Sequence, residues 1–157
     1  LMDTPAFLPG LNQEYGGIIR HGAKMLYAYS EATVPMVTII LRKAYGGGWS
    51  AMGPKELGID LVYAWPTAEC ASMGPEGAAE VIWAKEIKNS PDPKAAREKF
   101  VEEYDTHFAN PYLAGALRVI DDVIYPAETR LKIVSALKML EKKDKPRLPK
   151  KHGIMPI

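Results

Sequence analysis

Val37-Thr38-Ile39-Ile40-Leu41, running into Arg42-Lys43-Ala44-Tyr45-Gly46-Gly47-Gly48-Trp49-Ser50-Ala51-Met52, is the stretch that decides the fold of this chain. Its first five residues are apolar, β-branched-rich and closed off by glycine, which predicts a buried strand delivering its end to a turn. Three consecutive glycines allow positive φ angles and bring bare N–H groups against a ligand. A small helix starting near Trp49 would point its N-terminus the same way and add partial positive charge. Backbone donors that converge on one point suit a developing oxyanion. The same residues also make a tight strand-to-helix turn without chemistry, and a glycine cluster alone does not decide between the two.

Working outward, Asp3-Thr4-Pro5-Ala6-Phe7-Leu8-Pro9-Gly10 reads as a loop, because its prolines exclude regular helix. Asn12 then caps a helix from Gln13 to about Ala32, with Glu14 in its first turn. Gly16, Gly17 and Gly22 inside it point to close packing or close ligand approach. Met2 is not the first residue, so the chain is expected to begin partway through a larger fold. On the other side of the turn, residues 51–59 hold a short helix interrupted by Gly53-Pro54. Leu61-Val62-Tyr63-Ala64-Trp65 and Ala68-Glu69-Cys70-Ala71-Ser72-Met73 read as strands separated by Pro66-Thr67. Gly74-Pro75-Glu76-Gly77 opens a helix through about Ile87, with Pro75 in the first turn and Glu76 at the positive dipole end.

The remaining third is helical in character. Pro91-Asp92-Pro93 introduces a helix from Lys94 to about Phe108, broken by Asn110-Pro111-Tyr112. A short segment from Leu113 to Arg118 follows, then a small strand at Asp122-Val123-Ile124-Tyr125-Pro126. Glu128 to Lys142 is the clearest helix, with Ile133, Leu137 and Leu140 on one face. Lys142, Lys143 and Lys145 read as its solvated end, and the segment after Pro146 as an irregular tail.

Composition narrows the function classes. The 157 residues are 47% hydrophobic and 25% charged, the range of a single ordinary globular domain. A net charge of +1 argues neither for nucleic acid nor for an anionic membrane surface as the main partner. No apolar run approaches the roughly 18 residues of a membrane span, and the one cysteine, Cys70, has no internal disulfide partner. A cytoplasmic protein is the expectation. His21, His107 and His152 lack a second ligand at zinc spacing, so no metal is expected. Cys70 reads as packing in a buried strand, and His21 as structural. No nucleophile elbow and no phosphate loop is present. What is left is catalysis by backbone donors.

Taken as ordered blocks, the sequence resembles a known family. Asp3–Gly10, Gln13–Lys24, Arg42–Gly48, Ala64–Glu69 and Met73–Ala78 are similar to the carboxyltransferase subunits of biotin-dependent acyl-CoA carboxylases, notably the propionyl-CoA carboxylase β and methylmalonyl-CoA decarboxylase α type. Asn110-Pro111-Tyr112, Ile120–Arg130 and Lys150-Lys151-His152-Gly153 resemble that family's closing blocks. The resemblance implies an α/β, crotonase-like fold of ββα units. Residues 1–157 would be most of the C-terminal, biotin-binding domain, incomplete at its N-terminal side, and so carry half of a site shared between domains. It also implies that the N–H groups of Gly47 and Gly48 hold the ureido oxygen of biotin as carboxybiotin on a carrier protein gives up CO2. The freed biotin nitrogen then takes the α-proton of a short-chain acyl-CoA, so no side chain need act as base. Tyr45, Gly46, Trp49, Ser50, Gly74, Pro75 and Glu76 would line the biotin and acyl pocket. The implied partners are a biotin carboxylase with its carrier protein and further copies of the subunit, in a hexamer built as a dimer of trimers.

The chain departs from that family's pattern in three places. Gly48 stands where alanine is common and Ala6 where glycine is common, the latter expected to matter less. Ser50 stands where propionyl-type enzymes commonly carry an aspartate, which leaves acyl-chain length open. Alternatives in view are the same chemistry in reverse in a sodium-pump decarboxylase, a non-catalytic carrier-docking module, and a hydratase or isomerase using Glu56 and Asp60.

Overall fold

A computed structural model describes residues 1–146, 153, 155 and 156. It opens with a strand where a loop is expected: β1 (Met2–Thr4) pairs in parallel with β2 (Val37–Tyr45), Met2 opposite Ile40 and Thr4 opposite Ala44. Met2 is fully buried, and the Asp3 carboxylate accepts from the Lys43 N–H at 3.1 Å, so this short edge is fixed before Pro5 ends it. Strand β2 is longer than the apolar run because Ala44 and Tyr45 are also buried.

β2 organises the sheet. Its first half pairs with β3 (Leu61–Ala64), Val37 opposite Leu61, and its second half with β4 (Glu69–Ala71), Lys43 opposite Glu69. Pro66, which has no N–H, falls between the two, and the Thr67 hydroxyl donates to the Leu41 carbonyl at 3.1 Å across the gap. β5 (Asp122–Val123) pairs with β3, and all four strand pairs are parallel. Thr38, Ile39 and Ile40 are buried in succession, which is the burial of a sheet covered on both faces.

The helices fall where expected, but two of them are divided and most differ in extent. The long N-terminal helix is two, α1 (Leu11–Tyr15) and α2 (Ile18–Glu31), capped by Gly10 rather than Asn12. They separate because Gly17 takes the left-handed conformation, φ 77°, which no β-carbon favours. Gly22, within α2, is a packing glycine: a methyl group there would overlap the Phe7 ring at 2.4 Å. The helix after β2, α3 (Gly46–Ala51), starts at Gly46 and not near Trp49, so the three glycines are its first turn. Pro54 leaves room only for a single 3-10 turn, Lys55–Leu57, in the expected helix over residues 51–59.

The helix opened by Gly74 is also two, α4 (Pro75–Ile82) and α5 (Ala84–Asn89). They part at Trp83, whose ring stacks on Phe100 with centroids 4.9 Å apart. α6 (Pro93–His107) is capped by Asp92, which accepts from the Lys94 and Ala95 N–H groups, and α7 (Pro111–Ala116) by Asn110. Both start one or two residues before the expected positions, because the prolines sit in the first turn, where a missing N–H costs nothing. α8 (Thr129–Met139) ends before Lys142. Lys143 is not a solvated helix end. Its side chain is 11% exposed and bridges Asp60 at 2.8 Å, while Lys145 donates to the Ser30 and Ala32 carbonyls at the end of α2. Most of the tail expected after Pro146, His152 included, lies outside the described residues.

Candidate functional site

The junction of β2 and α3 is built by three close approaches to glycine. Gly46 takes φ +49°, and a methyl group there would sit 2.9 Å from the Ser72 carbonyl just past the end of β4. At Gly47 the neighbour is the Phe7 ring at 3.3 Å, the same ring that Gly22 admits on its other side. At Gly48 it is Thr4 Oγ1 at 2.8 Å and the Ala6 backbone at 3.2 and 3.3 Å. No described side chain caps α3, so the N–H groups of Gly47 and Gly48 stand in a first turn that offers no intrahelical acceptor. Gly47 is exposed and Gly48 buried.

Two open clefts flank this junction, and they divide the expected pocket residues between them. The first, of about 540 Å³, is lined by Tyr45, Pro75 and Glu76, together with Lys43, Glu69 and Asp105. Gly74 stands at its edge, 3.6 Å from the Tyr45 ring as measured from where its β-carbon would be. The second, of about 340 Å³, is lined by Gly46, Trp49 and Ser50, together with Leu26, Glu56 and Ser72. Trp49, Glu56 and Ser72 also line a third cleft, of about 350 Å³, which has an apolar wall including Tyr104, Phe108 and Leu113. Gly47 and Gly48 line none of the three. The indole Nε1 of Trp49 is buried without a hydrogen-bond partner among the described residues.

The first cleft is strongly acidic. The Tyr45 hydroxyl donates to Glu69 Oε2. Burial, and then that bond to a carboxylate, push the phenol far above its ordinary range, so Tyr45 stays a donor. Asp105 is also raised, first by burial and then by the Glu69 and Glu76 charges. In the second cleft the Ser50 hydroxyl donates to the Gly46 carbonyl at 3.3 Å. Cys70 is buried in β4 and its thiol is pushed up to about 12 by burial, which leaves it packing and not a nucleophile. His21 and His107 are exposed. Asp60, named with Glu56 in the hydratase or isomerase alternative, is held by Lys143 and by the Met36 N–H at 2.7 Å. It is therefore occupied in structure and not half of a catalytic pair with the exposed Glu56. Among the described residues no three His, Cys, Asp or Glu side chains gather as a metal site.

Sequence reasoning missed Glu69, Asp105 and Phe7. The Glu69–Tyr45 contact follows from a parallel register that only the folded sheet reveals. The one available signal for Phe7 was Gly22, which pointed to close packing or close ligand approach with its partner unknown.

The carboxyl transferase domain family matches residues 1–155. The chain is 62% identical over 156 residues to the methylmalonyl-CoA carboxyltransferase 12S subunit of Propionibacterium freudenreichii subsp. shermanii, covering 99% of this chain and 30% of that one. It is 57% identical over 157 residues to the methylmalonyl-CoA decarboxylase subunit alpha of Propionigenium modestum, covering 100% of this chain and 30% of the relative. The crystal structure of transcarboxylase 12S with methylmalonyl-CoA and methylmalonic acid bound superposes with a TM-score of 0.95 at 61% identity, over 99% of this chain and 30% of that one. That superposition bears out the expected crotonase-like α/β fold. The chain spans about 30% of the length of the relatives it matches.

Proposed function

Since this chain belongs to the carboxyl transferase domain family, we propose that it carries the biotin-side half of a carboxyltransferase site, moving a carboxyl group between carboxybiotin on a carrier protein and the α-carbon of a short-chain acyl-CoA. The observation that carries this reading is the uncapped first turn of α3, whose glycines are held from below by Phe7, Thr4 and Ala6. Carboxybiotin supplies the carboxyl group and, once relieved of it, a nitrogen base. The chain's residues fit that division of labour: they present backbone donors at the turn, and among the described residues no cluster of metal-ligating side chains stands beside them.

In this reading the N–H groups of Gly47 and Gly48 stabilise an oxygen on which negative charge grows. The α3 dipole adds to them, and fixed donors need no reorganisation as charge develops. Gly46 gives the turn its sharpness. Trp49 and Ser50 shape the second cleft beside the donors, and Ser50, small and neutral, leaves room where a longer acidic side chain would stand. Tyr45, Pro75 and Glu76 line the first cleft on the other flank of the turn, with Gly74 at its edge. The rest of the site, which would hold the acyl-CoA, comes from outside these 157 residues. The natural assembly is then cytoplasmic and hexameric and works with a biotin carboxylase and its carrier protein.

Gly47→Pro, made in the natural polypeptide, tests this by removing one N–H at a helix position that tolerates proline. Loss of one oxyanion donor costs about 3 kcal/mol, so carboxyl transfer is expected to fall by about 10²–10³-fold with assembly intact. Unchanged transfer refutes the reading. The 57% identity to a decarboxylase α subunit keeps the reverse direction as the second reading. Affinity capture decides between them: a biotin carboxylase partner supports the first, and membrane subunits the second.

A further inference from the structure

We propose that Glu69 is a positioning residue for the glycine turn, acting through its hydrogen bond to Tyr45; the inference rests on the carboxyltransferase reading above. Tyr45 is the last residue of β2 and the residue from which α3 departs. Nothing on its other side is rigid by itself, because three glycines follow. Beyond the contacts of Phe7, Thr4 and Ala6 beneath Gly47 and Gly48, two constraints set the direction of their N–H groups: how firmly Tyr45 is held and what meets Gly46.

Both constraints come from β4 and the residue that follows it. The register puts Glu69 opposite Lys43 and Ala71 opposite Tyr45, so Glu69 is the diagonal neighbour of Tyr45 on the same face of the sheet. The Tyr45 ring is 5% exposed and packs with Ala71, Ala78, Tyr104 and Ala109. Its hydroxyl reaches the Glu69 carboxylate at the rim of the first cleft. A hydrogen bond to a charged acceptor is about twice as strong as one between neutral groups. Just past β4, the Ser72 carbonyl abuts Gly46 so closely that no β-carbon fits. The ring also lies against Gly74, the cap of α4. One side chain thus links both glycine turns, and Glu69 fixes its rotation.

Such a clamp differs from ordinary packing in what its loss changes. Tyr45→Phe keeps the ring and its apolar contacts and removes only the hydroxyl. In the natural polypeptide with its carrier protein, kcat for carboxyl transfer is expected to fall about tenfold while KM for the acyl-CoA stays within twofold. Backbone amide exchange is expected to rise in the peptide spanning residues 46–52 and not in α6. Glu69→Leu reproduces both effects, and Glu69→Gln, which can still accept the bond, restores most of kcat. Parent-like kcat and amide exchange in both Tyr45→Phe and Glu69→Leu overturn the proposal. So does a uniform rise in exchange across the sheet, which marks a merely structural role. Gly47→Pro, assayed alongside, separates the two levels: if it abolishes transfer while the clamp variants do not, the clamp fails and the site stands. If Gly47→Pro is itself fully active, the site reading fails and the clamp with it.

Discussion

Gly48→Ala probes the departure at the centre of the site, and the structure couples it to the departure at Ala6. A methyl group on Gly48 would stand 2.8 Å from Thr4 Oγ1, 3.2 Å from the Ala6 carbonyl carbon and 3.3 Å from the Ala6 Cα. The Thr4 contact is cheap to relieve, since its hydroxyl makes only a long bond to the Ala6 carbonyl at 3.5 Å. The Ala6 contact is with backbone, which must retreat by a few tenths of an ångström. Overpacking of this kind costs about 1–3 kcal/mol, against about 0.5–1 kcal/mol gained when alanine replaces a helical glycine. The net expectation is a loss of about 1 kcal/mol, or a fall in Tm of about 2–4 °C for a domain of this size. With glycine at position 6 the backbone is free to give way, so Gly48→Ala is expected to cost about 0.5–1.5 kcal/mol less in an Ala6→Gly background. Calorimetric melting of the four proteins of the cycle in the natural polypeptide measures this coupling. A Gly48→Ala variant more stable than its parent, or one whose cost is the same in the parent and Ala6→Gly backgrounds, refutes the reasoning. Ala6, set aside on sequence grounds as the lesser departure, is thereby the partner of Gly48.

Gly22→Ala is expected to be more damaging, because its methyl group overlaps the Phe7 ring at 2.4 Å and expels the wedge beneath Gly47; a loss of about 3 kcal/mol or more is expected by thermal melting, and Phe7→Leu in the same chain should recover part of it. Asp60→Asn removes the carboxylate that pairs with Lys143 at 2.8 Å, where the two side chains are 17% and 11% exposed, and is expected to cost about 2 kcal/mol at pH 7. Burial works to raise the Asp60 pKa, but the bonds from Lys143 and the Met36 N–H outweigh it, and the net value lies below the ordinary 3.8. This contribution is therefore complete above about pH 4 and lost as pH falls through the lower, folded value, so the stability gap between parent and Asp60→Asn should close below that pH in Tm measured against pH.

What was legible in the sequence follows from how local its cause is. Val37–Leu41 and Leu61–Trp65 read as strands because their burial is written in largely apolar runs, Ala68–Met73 because it is a short segment set off by Pro66-Thr67 and Gly74, and Asp92-Pro93 marks a helix start through groups two or three residues apart. Met2–Thr4 was hidden because a three-residue edge strand exists only by pairing with Ile40 and Ala44. The breaks at Gly17 and Trp83 were hidden for a related reason: a glycine inside a helical pattern can pack or turn, a tryptophan there can pack along the helix or stack on a distant ring, and only tertiary contacts choose. Gly22 packs against Phe7, whereas Gly17 takes a positive φ. Lys143 and Asp60 are 83 residues apart, and no local pattern announces a cation that turns inward.

The same distinction explains the site. Donors that are backbone N–H groups carry no side-chain signature, so the sequence marks them only by the absence of β-carbons at residues 46–48. Glycine, however, supplies access and not aim. The aim comes from groups distant in the chain: Thr4 and Ala6 under Gly48, Phe7 under Gly47, the Ser72 carbonyl against Gly46, and Glu69 on Tyr45. Each of these approaches crowds the space a β-carbon would take at the position it supports or anchors the residue just before the turn. In the proposed site the three glycines thus serve twice, once so that a ligand can approach from one side and once so that the protein can close in from the other. Changing one of them alters donor access and donor position together, whereas changing Glu69, Thr4 or Ala6 alters position alone. It is through those supporting residues that the two requirements can be separated by experiment.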